Sequence, residues 1–165
     1  MSLGLAIFTI FHVLLSLIGI LAGFVVVYGL LTANRLDGWT KVFLWTTGLT
    51  SVTGYLFPFH KLLPSHILGV ISLVVLALCI YARYGRKLAG GWNRTYAITA
   101  VIALYLNVFV LIAQLFQKVP ALRALAPTQS EGPFLITQLV VLLAFVVIGI
   151  LAATRFRQQQ QLRTA

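Results

Sequence analysis

The chain has 165 residues, of which 61% are hydrophobic and 8% are charged, and its formal net charge is +10. Soluble domains contain roughly 45–50% apolar and about 25% charged residues, so this composition excludes a soluble globular domain. It predicts an integral membrane protein with a single domain over residues 1–154 and a polar tail over 155–165. The connecting segments are too short to fold into a second domain.

Five apolar runs are long enough to cross about 30 Å of hydrocarbon, which takes about 20 helical residues. In chain order they are residues 3–31, 42–59, 67–84, 96–116 and 134–154. Helices are expected because the bilayer core offers no water to satisfy backbone amides, and the runs lack the polar alternation of barrel strands. The predicted fold is therefore all-α, an integral membrane bundle of five transmembrane helices.

The second run is the least apolar of the five, because Ser and Thr residues dilute it. Hydroxyl groups can bond to carbonyls of the preceding turn, so the run is still predicted to cross the membrane inside the bundle. Its boundaries are expected at the polar segment 34–38 and at Pro58, while Pro64 suits the first turn of the next helix.

Basic residues are distributed unequally between the two predicted faces of the membrane. Lys61, Lys118 and Arg123 lie on one face, and nine basic residues lie on the other. The nine are Arg35, Lys41, Arg83, Arg86, Lys87, Arg94, Arg155, Arg157 and Arg163. Since basic loops are retained in the cytoplasm, we expect the N-terminus outside, the C-terminus in the cytoplasm, and an inner (plasma) membrane location. The charge predicts contact with membrane lipid headgroups, and no nucleic-acid partner is expected.

This topology places all three histidines, His12, His60 and His66, toward the outer face. Glu131, one of only two acidic residues, is expected in the same half of the membrane. An ionisable residue within a membrane span is by default a candidate functional group, because burying it unpaired is expensive. The alternatives are structural. His12 would bond a threonine or a carbonyl across a helix interface, and His60 would lie in a headgroup-level loop. His66 would lie at a helix start, and Glu131 would oppose Arg123 or cap the fifth helix.

Small and polar residues suggest which helix faces turn inward. On the first helix Gly19 and Gly23 follow His12 at helical spacing, which favours close approach of a second helix. On the fourth helix Asn107 and Gln114 are expected on one inward face, with Gln138 opposite them on the fifth helix. These amides are candidate ligands for a carbonyl headgroup, or hydrogen-bonding groups that join helices.

Several chemistries are excluded or disfavoured. The single Cys79 permits neither an internal disulfide nor a two-cysteine redox centre. Adjacent Ser65 and His66 point about 100° apart on a helix, so no hydrolytic motif is present. A catalytic role is therefore uncertain, although a redox role remains open.

Three functional hypotheses follow for this small bacterial-type inner-membrane protein. The first is a site in the outer half for electron transfer or sensing, because neutral imidazole is a common ligand of haem iron and of other metals. Haem b would bind through His12 and His66, and a divalent metal through His12, His60, His66 and Glu131. The second is a noncatalytic accessory or assembly subunit, partnered by other membrane subunits or by copies of itself. The third is a quinone, lipid or solute cavity that uses His12 and the amides Asn107, Gln114 and Gln138.

Overall fold

The computed structural model describes residues 3–57 and 64–164, and the described residues form helices joined by short connections. There are six α-helices and one turn of π-helix, the latter following directly on α3. Their bounds are α1 Leu3–Leu31, α2 Asp37–Gly54, α3 Pro64–Ile80, the π turn Tyr81–Gly85, α4 Trp92–Lys118, α5 Pro120–Leu125 and α6 Gly132–Thr164.

Four of these helical segments are long and apolar enough to cross a membrane. They are Leu3–Leu31, His66–Gly85, Trp92–Lys118 and Gly132–Phe156. Large apolar side chains remain exposed along all four, as expected where lipid rather than water surrounds the protein. The chain is therefore a helical-bundle membrane protein.

Helix α4 lies at the centre of the bundle. It packs against α1, α3, α5 and α6, while α2 fills the space between α1 and α3. Long helices that are consecutive in the chain run in opposite directions, because the connections between them are short. Contacts between Tyr96 and Phe156 and between Tyr105 and Phe145 show this antiparallel pairing for α4 and α6.

The predicted small-residue face of α1 is confirmed. Gly19 and Gly23 are buried against α2 and α4. A Cβ atom at Gly23 would lie 2.6 Å from Leu104 Cδ1 and 2.9 Å from Phe43 Cε2, closer than real Cβ contacts. The missing side chains therefore allow three helices to meet at one depth.

Helix α2 differs most from its predicted span. It begins at Asp37 rather than Val42 and ends at Gly54 rather than Phe59, so it includes two charged residues, Asp37 and Lys41. These charges and its many Thr, Ser and Gly residues lower its mean hydropathy, so it is not among the four segments long and apolar enough to cross a membrane. Pro58, the predicted end of the second span, lies outside the described residues.

Helix α6 extends furthest beyond its predicted span, to Thr164 rather than residue 154. The polar segment predicted as a tail from residue 155 therefore begins as an extension of α6. The third span ends with the π turn at Gly85, one residue beyond its predicted end. A short helix, Pro120–Leu125, also lies in the connection between the fourth and fifth predicted spans.

The bundle has two chemically different ends. At the end where α2 and α4 begin, here the basic end, lie the described basic side chains Arg35, Lys41, Arg83, Arg86, Lys87, Arg94 and Arg155. At the opposite end, here the histidine end, α1 and α3 begin, and His12 and His66 lie within their first halves. Candidate sites are present at both ends.

Candidate functional site

His12 is bonded to α2 at the histidine end. Its Nδ1 atom lies 2.8 Å from Thr53 Oγ1, and its half-buried ring meets the Phe57 ring edge-on at 5.1 Å. The Thr53 hydroxyl already donates to the Leu49 carbonyl at 2.7 Å, so it accepts the bond from His12 and Nδ1 is protonated. The neutral ring then offers Nε2 as its acceptor nitrogen, the arrangement usual for metal-bound histidines.

His66 contacts a different residue of the same segment. It is buried in the first turn of α3, as predicted, and its backbone carbonyl accepts a bond of 2.6 Å from the Tyr55 hydroxyl. The rings of His66 and Tyr55 are 5.6 Å apart, between their centroids. Residues 53–57 at the end of α2 therefore contact both histidines.

The predicted metal set cannot be assembled from the described part of the chain. His60 lies outside it, and within residues 3–57 and 64–164 no group of three or more His, Cys, Asp or Glu side chains is placed to hold a metal ion. Coordination by His12, His60, His66 and Glu131 stays a prediction, as does haem binding by His12 and His66.

The three candidate amides, Asn107, Gln114 and Gln138, do not lie together along one buried surface. Asn107 is buried and donates to Thr47 Oγ1 at 3.1 Å, which joins α4 to α2. Gln138 is buried and donates to the Phe109 carbonyl at 3.1 Å, which joins α6 to α4. Gln114 is exposed, so its predicted inward position is wrong. Gln114 is on nearly the same helix face as Asn107 but about 10 Å further along α4, near its C-terminal end, where little covers it.

Glu131 is part of a local turn before α6. Its carboxylate accepts bonds from the backbone amides of Thr128 and Ser130 and from the Thr128 hydroxyl, at 2.8–3.3 Å. Desolvation raises the pKa of Glu131, but these hydrogen bonds outweigh it, and the pKa is lowered from its usual value. The carboxylate thus organises the connection between α5 and α6.

The basic end contains a buried charge that the sequence reasoning missed. The Arg83 side chain is only 4% exposed, lies in the π turn, and pairs with Asp37 at the start of α2. Its Nη2 also donates to the Arg35 carbonyl at 3.3 Å, and its Cζ lies 4.9 Å from the centroid of the Tyr96 ring. A charged residue within an apolar span is itself a sign of a functional or paired group, and Arg83 falls inside the predicted span 67–84. On the sequence alone, we assign Arg83 only to the basic face of the membrane.

Two polar atoms near Arg83 lack a partner. Arg83 Nη1 and Asn93 Oδ1 are buried without a hydrogen bond to any described residue. Asn93 precedes Tyr96 by three positions on α4, so the two residues share the helix face that meets Arg83. Among the described residues, two further buried atoms without a partner, Thr50 Oγ1 and Gln138 Oε1, lie elsewhere in the bundle, but Arg83 carries the only one of the four that belongs to a charged group.

Two lateral grooves open on the apolar surface of the bundle. One, of about 560 Å³, lies between α2 and α3; the other, of about 300 Å³, lies between α4 and α6. Their walls are aliphatic and aromatic apart from a few residues, and each contains one basic residue, at the basic end. These are Lys41 in the α2–α3 groove and Arg94 in the α4–α6 groove.

No protein family model, curated protein or solved structure matches this chain. The functional conclusion therefore depends on the geometry of the chain itself.

Proposed function

We propose that this protein crosses the inner (plasma) membrane five times and binds lipid-like amphiphiles in its two lateral grooves. Support for a fifth crossing comes from α2, whose 18 residues extend about 27 Å, close to the thickness of the hydrocarbon core. Helix α2 packs between α1 and α3, two helices that are long and apolar enough to span. Thr40 and Thr47 are thereby buried, whereas Asp37 and Lys41 remain exposed at the basic end.

The proposed orientation has the N-terminus outside and the C-terminus in the cytoplasm. Seven of the described basic side chains lie at the basic end and two, Lys118 and Arg123, at the other, and basic loops are retained in the cytoplasm. Helical rather than barrel spans support an inner membrane, since outer-membrane proteins of the porin type are barrels.

The single observation that supports amphiphile binding is that both grooves have an apolar lining with one basic residue at the same end of the bundle. In each, the lining residues on one helix span twelve positions, from Lys41 to Val52 or from Arg94 to Tyr105, a length of about 16 Å. Each groove is apolar along this length and basic at one end. An amphiphile with an apolar chain and a polar or anionic head has the same asymmetry.

Native mass spectrometry of the protein purified in mild detergent tests this function. We expect lipid to stay bound, and Gly48→Leu and Gly149→Leu to lower the bound amount by filling one groove each. Both glycines line a groove, and a Cβ at either position meets its nearest neighbour at ordinary distance, 3.5 or 3.6 Å. Gly4→Leu is the matched control, because nothing lies within 4 Å of its Cβ position.

Two outcomes would contradict amphiphile binding. One is a wild-type protein that retains no lipid, or retains the same amount when both grooves are filled. The other is a second polypeptide that co-purifies and is released by Gly48→Leu or Gly149→Leu, which would make the grooves a subunit interface and the protein an accessory or assembly subunit.

A second candidate function is haem or metal binding at the histidine end for electron transfer or sensing. It is favoured by the hydrogen bond from His12 Nδ1 to Thr53, which orients the ring and leaves Nε2 as the basic nitrogen. The absorption spectrum and metal content of the purified protein test it. A haem band or stoichiometric metal that His12→Ala removes would support this site, and a colourless, metal-free protein would contradict it.

A further inference from the structure

The basic end of the α2–α3 groove is next to the buried charge pair. Lys41 lines the groove, and Asp37 lies one helical turn before it, on the same side of α2. Tyr84 also lines the groove, and the Cζ atom of Arg83 lies 5.7 Å from the centroid of its ring. The wall of the groove at this end therefore separates Lys41 from Arg83 by little more than one aromatic side chain.

The charges around this end are strongly unbalanced. The whole chain has two acidic residues, and the other one, Glu131, is at the histidine end. Asp37 is therefore the single acidic residue at the basic end, where Arg83, Lys41 and the neighbouring cations lie. Arg83 forms an ion pair with Asp37, whereas Lys41 has no ion-pair partner among the described residues. The potential at this groove end is positive, which favours an anion.

Trp45 and Tyr84 indicate where this end of the groove lies relative to the membrane surface. Trp45 lies one turn beyond Lys41 on the same side of α2, and both Trp45 and Tyr84 line the groove and are largely exposed. Exposed Trp and Tyr side chains prefer the boundary between hydrocarbon and headgroups. A lipid with its chain in the groove therefore has its headgroup phosphate at the level of Lys41.

We propose that the α2–α3 groove is a selective site for an anionic phospholipid, with an acyl chain in the groove and the headgroup phosphate on Lys41. Lys41 supplies the positive charge that binds the phosphate, while Arg83 behind Tyr84 is neutralised by its ion pair with Asp37. This selectivity rests on the proposed amphiphile binding and specifies its ligand for one of the two grooves.

Competition between two lipids with identical acyl chains tests the headgroup preference. The full chain is incubated with equal amounts of phosphatidylglycerol and phosphatidylcholine, and native mass spectrometry counts each bound lipid. We expect wild-type protein to prefer phosphatidylglycerol, and Lys41→Gln to lower that preference about fivefold, the contribution typical of one basic residue near a membrane surface. Gly48→Leu should remove the selective site.

Lys87→Gln is the matched control. It removes the same charge from the same end, but Lys87 lines neither groove. We expect its preference to equal that of the wild-type protein. An equal loss of preference in both lysine variants would overturn the site, since it would indicate only diffuse surface attraction.

The same experiment separates the two proposals. Lipid bound with no preference between the headgroups would overturn the anionic site and leave amphiphile binding standing. No bound lipid of either kind would overturn both.

Discussion

The basic end and the histidine end bury polar groups by different means. At the basic end, a buried guanidinium has one largely exposed carboxylate partner, an aromatic face beside it and an unsatisfied nitrogen. At the histidine end, His12, Thr53 and Tyr55 form single hydrogen bonds between neighbouring helices. Burying a charge costs far more than burying a hydrogen-bonded neutral group, so the basic end depends on one ion pair and the histidine end on several small contacts.

The difference shows that the rarest residue type in a membrane sequence does not always identify the side chain that is most costly to bury. The three histidines stand out by type, whereas Arg83 is one of twelve basic residues. Its burial in a π turn distinguishes it, and π turns occur frequently at functional sites. We expect substitutions at the basic end to change the free energy of unfolding more than substitutions at the histidine end.

The largest effect is expected from Asp37→Asn. It leaves the buried guanidinium of Arg83 without its anionic partner and should lower the free energy of unfolding by about 2–3 kcal/mol, somewhat less than for a fully buried pair. The double variant Asp37→Asn, Arg83→Met should recover at least half of this loss, because no buried charge remains. Thermal unfolding in detergent measures both. A double variant less stable than Asp37→Asn would contradict the interpretation.

A smaller effect is expected along α1, whose two halves differ in packing. Gly23→Ala forces a Cβ into Leu104 and Phe43 and should cost about 2 kcal/mol by overpacking. Gly4→Ala near the histidine end meets nothing and should instead add about 0.5–1 kcal/mol through helix propensity. The same unfolding assay compares the two, and equal effects would show that α1 is not packed as described.

A still smaller effect is expected at the histidine end. His12→Ala should cost about 1 kcal/mol, the usual value of one hydrogen bond. A double-mutant cycle with Thr53→Val should give a coupling of about 0.6 kcal/mol, typical of polar pairs between membrane helices. Zero coupling in the cycle would mean that His12 and Thr53 do not bond in the membrane.

The smallest effect is expected from the pH response of Glu131. Because folding lowers its pKa, the carboxylate stabilises the turn above the ordinary carboxyl range, and this contribution is lost as the pH falls through the lowered pKa. Hydrogen exchange at the Thr128 and Ser130 amides should therefore be slower at neutral pH than near pH 3 after correction for intrinsic rates. Glu131→Gln should abolish the difference, and a difference that persists would assign the protection to another group.

Much of the fold follows from the sequence because the bilayer imposes strong constraints on it. The bounds of α1 and the inward position of Gly19 and Gly23 agree with the predictions, since apolar length and small-residue spacing determine both. The hydrogen bond between His12 and a threonine of a neighbouring helix, one of the structural alternatives, is also confirmed.

The errors arose where tertiary contacts override local pattern. Asp37 and Lys41 extend α2 because Asp37 can pair with Arg83, a residue 46 positions away that no local pattern connects to it. The grooves are likewise invisible in the sequence, because they depend on how closely α2 approaches α3 and α4 approaches α6. Helical spacing alone also failed for Gln114, whose exposure depends on where the neighbouring helices end.

The π turn sets the direction in which Arg83 points. Its hydrogen bond from the Arg86 amide to the Tyr81 carbonyl encloses one residue more than an α-helical turn would. Removing a single residue there would return the segment to α-helical phase and rotate the guanidinium by about 100°, toward lipid or water. One inserted position in the backbone is thus sufficient to place a fixed positive charge inside an otherwise apolar bundle.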